Sequence, residues 1–211
     1  VRKIMPGLNA AFVNIGHEKD AFIHYLDLGT SYRSLERIVH SCQGGRRQQR
    51  VESMKLEPQL EKEGRIGDHL QIGQTVMVQI SKEAISTKGP RLTADISLAG
   101  RNVVLVPFTN KVFVSTKIRS NTAKKRLRKV AQEVLPQNFG VIIRTAAADA
   151  EDIDIMQDIL SLVERWNKTL ATMRKSEAPA RLMSEMSRVN TIIRDSLNDT
   201  FSQITVDDET M

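Results

Sequence analysis

The chain opens with two short β-prone segments separated by turn residues. Small and apolar residues dominate residues 9–15 and 20–25, and a Gly-His-Glu-Lys sequence occupies residues 16–19 between them. Short segments of this kind, bounded by strong turn formers, predict a β-hairpin. Phe12 and Phe22 fall in the middle of its two arms.

The two phenylalanines allow two interpretations. Aromatic rings on the face of a small barrel hold single-stranded nucleic acid, because each ring stacks on a base whatever its identity. Strand phenylalanines are also common members of a hydrophobic core, and spacing alone favours that second interpretation. The two residues by themselves leave both interpretations open.

A long polar segment follows the hairpin. Residues 31–38 could form a helical turn, but residues 29–69 contain many charges and little apolar periodicity, so we predict a loop insertion near residues 30–70. Its arginines either contact nucleic acid or are solvated loop charges, and charge runs without a packed frame favour the second interpretation. These arginines are Arg46, Arg47 and Arg50.

Strand patterns resume beyond this segment. Side chains alternate in character over residues 74–81, and a Thr-Lys-Gly-Pro turn at 87–90 leads into a further strand over 91–98. Together with the hairpin and a first strand at the start of the chain, these segments predict a five-stranded OB-type β-barrel over residues 1–98.

A second unit of mixed α and β structure is predicted after the barrel, which makes the fold class α+β. A helix beginning at a cap formed by Asn121 or Thr122 places its apolar residues on one face. Trp166 lies on the apolar stripe of a second, longer helix, which indicates a core residue rather than a base-stacking one. The predicted strands are 103–106, 112–114, 139–143 and 202–206, and the predicted helices begin at 121 and span 149–174 and 183–197.

Composition mainly excludes classes of protein: those with a membrane span, a disulfide framework or a histidine metal site. With 211 residues, of which 40% are hydrophobic and 27% charged, the chain can bury one or two cores. It has no signal-like start and no apolar run of about eighteen residues, so we expect a cytoplasmic protein without a membrane span. The single cysteine, Cys42, excludes an internal disulfide framework, and the four histidines have no metal-ligand spacing. Because the chain begins inside a predicted strand and without methionine, we expect a piece of a longer protein.

The positive charge is concentrated in one stretch. The formal net charge is +6 and the isoelectric point is about 9.6, which favours a polyanionic partner. Residues 111–129 contain eight lysines and arginines and no acidic residue, and Lys124 and Lys125 lie in the predicted helix. Contact with phosphates and a merely solubilising face are equally compatible with this pattern.

A second candidate site follows the buried strand at 139–143. Arg144 and Thr145 come directly after it and deliver a planar guanidinium and a hydroxyl to the end of the sheet. Arginine binds phosphate in a bidentate manner, and threonine binds it through its hydroxyl and amide. An Arg-Thr pair at the end of a strand is, without further context, more often structural: the arginine forms a salt bridge and the threonine leads into a helix.

Two stretches, in the same order, resemble the ribonuclease E/G family. Residues 10–16 and 19–24 resemble its S1-type OB domain, and residues 139–147 resemble its pocket for a 5′-monophosphate. Asn14 and Ala21 replace the Asp and Gly usual in the family, at positions outside the stacking roles.

The Lys-Gly sequence at 88–89 followed by Arg-Leu-Thr at 91–93 also matches the family. The resemblance implies a role for each matching residue. Phe12, Phe22 and Lys88 would contact RNA, Arg144 and Thr145 would bind the 5′-phosphate, and Val104 would close that pocket from the facing strand. Residues 99–188 would then be a 5′-sensor domain and 189–211 the truncated start of an RNase H-like subdomain. The acidic residues Asp207, Asp208 and Glu209 would lie at the edge of that subdomain and would not form a metal site.

The resemblance also implies a function. The full-length protein would be a homo-oligomeric, single-strand-specific endoribonuclease of rRNA maturation and mRNA turnover, with catalytic Mg2+ bound by residues outside this chain. This chain alone would bind single-stranded RNA with a 5′-monophosphate and would not cleave it. The alternative is a non-enzymatic OB-fold RNA-binding module of a translation or RNA-decay factor, in which residues 140–147 form an ordinary core strand.

Overall fold

A computed structural model describes residues 1–43, 50–184, 191–193, 196, 200–203 and 205. Within these residues, nine β-strands form two mixed sheets and three α-helices have defined bounds, so the α+β class is confirmed. In the same part of the chain, none of the helices combines the length and the apolar character that crossing a membrane requires.

The first sheet contains five strands in the order β1-β2-β3-β5-β4. Neighbouring strands are antiparallel except β3 and β5, which are parallel. The predicted hairpin is confirmed as β2 and β3, with Phe12 paired to Phe22. The strands are β1 (Lys3–Met5), β2 (Ala10–Val13), β3 (Ala21–His24), β4 (Gln79–Lys82) and β5 (Arg91–Thr93).

The sheet is not a closed barrel in the part of the chain that the structure describes. β1 and β4 form its two edges, and no ladder of paired residues joins them. The segments that precede these two strands are joined at one point, where the Val1 ammonium group donates to the Gln74 carbonyl (2.7 Å) and the Gly73 amide donates to the Val1 carbonyl (2.9 Å). Because β1 has three residues and β4 begins only at Gln79, the two strands are too short to extend this contact into a ladder.

The segment predicted as a polar loop contains a packed helix. Helix α1 (Tyr32–Gln43) buries Tyr32, Leu35 and Ile38 on one face. Short 3-10 turns follow at Val51–Ser53 and Ile66–Asp68 and also bury apolar side chains. The prediction of a loop was therefore wrong for much of this segment, while Arg46 and Arg47 lie outside the described residues.

The second sheet contains four strands in the order β6-β7-β9-β8, with β9 between β7 and β8. β9 is antiparallel to β7 and parallel to β8. Phe139, Val141 and Ile143 of β9 are fully buried, each contributing about 1.5–3 kcal/mol from burial. The strands are β6 (Leu98–Ala99), β7 (Val103–Pro107), β8 (Val112–Val114) and β9 (Phe139–Ile143).

Two helices, α2 (Asn121–Val134) and α3 (Asp152–Met173), pack against this sheet and against each other. The cap of α2 is Ser120, whose hydroxyl accepts from the Ala123 amide (3.2 Å), and not the predicted Asn121 or Thr122. Trp166 is fully buried in α3 and contacts Phe108 edge-on, which confirms it as a core residue. Of the predicted helix at 183–197, the described residues 191–193 and 196 are helical, whereas 183 and 184 are not. The described residues 202, 203 and 205 of the predicted strand at 202–206 are not in a strand, and the three acids lie outside the described residues.

Candidate nucleic-acid interface

The hairpin places Phe12 and Phe22 side by side on the outer face of the first sheet. Their ring centroids are 5.8 Å apart, with an interplanar angle of 70°. Both side chains are half-buried, whereas their strand neighbours Val13 and Ile23 are buried in the core. Strand alternation thus directs the rings away from the core, and an edge-to-face pair of this kind is a stable aromatic arrangement.

Lys88 lies exposed at the end of the same sheet. Its backbone closes the turn between β4 and β5 by exchanging hydrogen bonds with Ile85. The neighbouring turn between β2 and β3 is linked to it, because the Lys19 Nζ donates to the Ser86 carbonyl (2.7 Å). Gly89 permits this approach, since a side chain there would meet the Asp20 carbonyl. Lys88 therefore stands at the rim formed by two joined turns.

Strand register aligns the phenylalanines with three cationic residues that sequence reasoning did not identify. Phe12 pairs with Lys3 of β1, Phe22 pairs with Arg91 of β5, and Arg91 pairs with Lys82 of β4. These five residues are paired one after another across the five strands, with a β-bulge between Ile80 and Lys82 of β4, and we call them the aromatic–cationic row. No local sequence signal predicts it, because it depends on the pairing of distant strands.

Arg144 is anchored at the end of β9. Its Nη1 donates to the Gly100 carbonyl at 2.7 Å and to the Arg101 carbonyl at 3.4 Å, and its amide donates to the Asn102 carbonyl at 2.8 Å. Thr145 follows at the start of a short 3-10 helix and is exposed. The structure thus brings a fixed guanidinium and a hydroxyl to the same strand end.

Val104 stands on the strand next to Arg144. It pairs with Ile142, which places Val104, Ile142 and Arg144 on the same face of the sheet, opposite the buried Val103 and Ile143. Ile142 also pairs with Phe113 of β8, which is 54% exposed. The predicted site residues Arg144, Thr145 and Val104 are therefore neighbours at one end of this sheet.

A carboxylate that the sequence did not identify holds the turn that anchors Arg144. The Asp158 Oδ2 accepts from the Asn102 amide (2.7 Å) and from the Val103 amide (3.1 Å). Gly100 lies so close that a side chain there would overlap the Asp158 carboxylate. Through Asp158, α3 therefore fixes the β6–β7 turn. The carbonyl groups of that turn hold Arg144.

The cations of α2 are not equivalent. Arg126 is committed to the protein itself, because its guanidinium donates to Asp152 Oδ1 (2.6 Å) and to the Ala148 and Ala150 carbonyls. Lys124 is half-buried and Lys125 is exposed. The predicted contact of Lys124 and Lys125 with phosphate remains a prediction.

Two observations on the described residues concern metal binding and thiol reactivity. Within the residues that the structure describes, no group of three or more His, Cys, Asp or Glu side chains is arranged to hold a metal ion. The Cys42 thiol is buried, and burial raises its pKa, which disfavours the reactive thiolate.

Comparison with known proteins identifies the family. A family model described as the Ribonuclease E/G family matches residues 97–211, more than half of the chain. Ribonuclease E of a Nostoc species is 33% identical over 211 residues, and ribonuclease G of Escherichia coli is 31% identical over 208 residues. A ribonuclease E/G-like protein of Pyropia yezoensis is also 31% identical over 208 residues. The chain belongs to the ribonuclease E/G family.

The relatives are much longer than this chain. The match covers 100% of the chain and 27% of the Nostoc protein, 98% and 39% for the Escherichia coli protein, and 98% and 36% for the Pyropia protein. A solved structure of the Staphylococcus aureus RNase P protein is similar over 35% of the chain, with 19% identity and a TM-score of 0.29, and this similarity carries no inference.

Proposed function

We propose that this chain is the RNA-binding and 5′-end-recognising part of an endoribonuclease that acts in RNA processing and decay. The observation that carries the proposal is the joint presence, in a ribonuclease E/G family member, of two outward-facing rings and an anchored Arg144. The rings stack bases without regard to sequence, and the guanidinium binds phosphate. Its ligand is single-stranded RNA with a 5′-monophosphate.

The finer fold assignment belongs to this proposal. An OB-fold is a five-stranded, partly open barrel. The sheet order β1-β2-β3-β5-β4, with the segments before β1 and β4 joined through Val1, supports that assignment. The proposed domains are the S1-type OB domain at 1–98, the 5′-sensor domain at 99–188 and the RNase H-like segment at 189–211.

The 5′-end preference rests on the chemistry at the end of β9. A terminal monophosphate carries close to two negative charges and three acceptor oxygens. A guanidinium presents five N–H donors in a planar fork, a geometry that matches the oxygens of a phosphate. Thr145 adds a hydroxyl beside it, and Val104 forms the apolar wall on the neighbouring strand.

Cleavage is assigned to residues beyond this chain. The described residues offer no carboxylate cluster that fits a catalytic Mg2+, whose ligands in proteins are oxygen atoms. Because the chain covers only 27% of the Nostoc protein and 39% of the Escherichia coli protein, we place the Mg2+ ligands of the whole enzyme outside these 211 residues. The whole protein is proposed to be a cytoplasmic homo-oligomer.

The test compares two RNAs that differ only at the 5′ end. In fluorescence anisotropy at low salt, the 5′-monophosphorylated oligonucleotide should bind more tightly than the 5′-hydroxyl one. Arg144→Ala should erase the difference, at a cost of about tenfold or more, since a charge-assisted hydrogen bond contributes about 1.5–3 kcal/mol. Thr145→Val, which removes only the hydroxyl, should lose less.

A matched control separates the site from general charge. Arg128→Ala removes one exposed positive charge from α2 and should weaken both RNAs equally. Equal affinity of the unmutated chain for the two 5′ ends would refute the sensor, even with RNA binding intact.

A further inference from the structure

The aromatic–cationic row contains a guanidinium next to the phenylalanine pair. Arg91 is paired directly with Phe22 between the parallel strands β3 and β5. Paired residues of neighbouring strands lie on the same face of a sheet, about 5 Å apart between Cα atoms. The buried side chain of Leu92, the next residue in β5, confirms that Arg91 points away from the core.

Asp27 fixes the plane of this guanidinium. The Arg91 Nε donates to Asp27 Oδ2 and the Arg91 Nη2 donates to Asp27 Oδ1, each at 3.1 Å. Asp27 is itself held, because its Oδ2 accepts from the His24 amide at 3.2 Å. A bidentate pair is coplanar and uses the edge of the guanidinium, so the bonding that holds Arg91 leaves its flat faces uninvolved. The Arg91 side chain is 46% exposed.

We propose that Arg91, held flat by Asp27, is a third base-stacking position of the first sheet, continuing the platform that Phe12 and Phe22 begin. Guanidinium planes stack on the bases of single-stranded RNA as aromatic rings do. The ligand is a base of the same RNA strand, so the inference rests on the proposed function and extends it by one nucleotide.

Stacking by Arg91 differs physically from a phosphate contact. The Asp27 carboxylate offsets the positive charge of Arg91, which weakens the attraction of Arg91 for a phosphate. The main contribution of Arg91 to RNA binding is then the flat face of its guanidinium. A phosphate contact would persist with lysine and would contribute about 0.7 to the slope of log affinity against log salt. A stacking contact requires the plane and contributes little to that slope.

The experiment measures binding of a 5′-hydroxyl oligonucleotide by anisotropy, so that the Arg144 site adds nothing specific. Arg91→Ala and Arg91→Lys should both weaken binding by roughly fivefold, the low end of what loss of one stacking partner costs, with the salt slope unchanged. Asp27→Asn should also weaken binding, although it adds a net positive charge that would strengthen a purely electrostatic contact.

Arg37 supplies a matched control. It lies on α1 and outside the row, it pairs with Glu57, and its side chain is 45% exposed. Arg37→Lys should leave RNA binding unchanged. Thermal melting of each variant checks the fold, and quenching of a 2-aminopurine base placed along the strand reports stacking directly, with one quenched position lost in Arg91→Ala.

The outcomes separate this inference from the function beneath it. If Phe22→Ala weakens binding while Arg91→Ala does not, or if Arg91→Lys binds like the unmutated chain, the third stacking position is refuted and the RNA-binding sheet stands. If neither Phe22→Ala nor Arg91→Ala changes binding, the proposed function of this sheet is refuted as well.

Discussion

At the scale of single residues, the proposed 5′-end site depends on a carboxylate that does not itself face the ligand. Asp158 accepts hydrogen bonds from the backbone of Asn102 and Val103, and the turn that it holds presents the Gly100 carbonyl to Arg144. Asp158 is therefore a positioning residue. Its effect on RNA should pass entirely through the orientation of the guanidinium.

Asp158→Ala should reduce the preference for a 5′-monophosphate and also lower stability. It leaves two part-buried amides without their acceptor, and each unsatisfied group costs about 1–3 kcal/mol. Asp158→Asn keeps one acceptor oxygen, so its 5′-end preference and its stability should lie between those of the unmutated chain and those of Asp158→Ala. The measurements are the affinity ratio of the two 5′ ends and the urea midpoint, with the exposed Gln157→Ala as control on the same helix. A full 5′-end preference in stably folded Asp158→Ala would contradict the positioning role.

The residues that could be predicted from the sequence are those whose chemistry is attached to a local pattern. Phe12, Phe22 and Arg144 stand in short motifs, and their placement on the outer face and at a strand end follows from strand alternation. Arg91 and Asp158 could not be found in this way. Their partners lie 64 and 56 residues away along the chain, and only the fold brings them together.

At the scale of elements, α2 carries its positive charge at the energetically less favourable end. Lys124 and Lys125 lie near the helix N-terminus, where the macrodipole favours acidic residues, and the first turn contains none. The arrangement contributes little to helix stability. A polyanionic ligand on this face would account for it.

Lys124→Glu combined with Lys125→Glu should therefore weaken RNA binding without unfolding the helix. Removal of two phosphate contacts should flatten the salt dependence by about 1.4 log-slope units, since each contributes about 0.7. Each Lys→Glu substitution lowers the net charge by two, so the double substitution changes the net charge from +6 to +2. Lys55→Glu combined with Lys62→Glu makes the same change at exposed positions of the first unit. If both pairs change the slope equally, the α2 face has no specific role.

Element prediction succeeded where one period dominated. The β2–β3 hairpin and α2 and α3 each have a clear alternation or stripe, and they form within a few residues of the predicted bounds. Helix α1 was predicted only as a possible helical turn at 31–38, although its buried residues Leu35, Ile38 and Cys42 recur at helical spacing. Whether the barrel closes could not be predicted from the sequence, because closure depends on how far the two edge strands extend beside each other.

At the scale of the whole molecule, the two candidate surfaces share one body. The Asn138 side chain, next to β9, donates to the Val51 carbonyl (2.8 Å) and the Met54 carbonyl (2.7 Å), in the segment inserted in the first unit. Buried apolar residues from both sheets form one continuous cluster. A strand of RNA that contacts the aromatic–cationic row and the end of β9 would thus meet two sites in a fixed relation.

This body should bind RNA without cutting it. A catalytic Mg2+ needs convergent oxygen ligands, and several described carboxylates are already committed to other partners: Asp27 to Arg91, Asp152 to Arg126, and Asp158 to backbone amides. Incubation of the purified chain with a labelled single-stranded RNA and Mg2+, followed by a denaturing gel, should show intact RNA at concentrations where anisotropy shows saturation. Addition of a chelator should leave that binding unchanged. Magnesium-dependent cleavage that disappears on a single substitution within these 211 residues would place the catalytic centre inside this chain and overturn the assignment of binding and cleavage to separate parts of the enzyme.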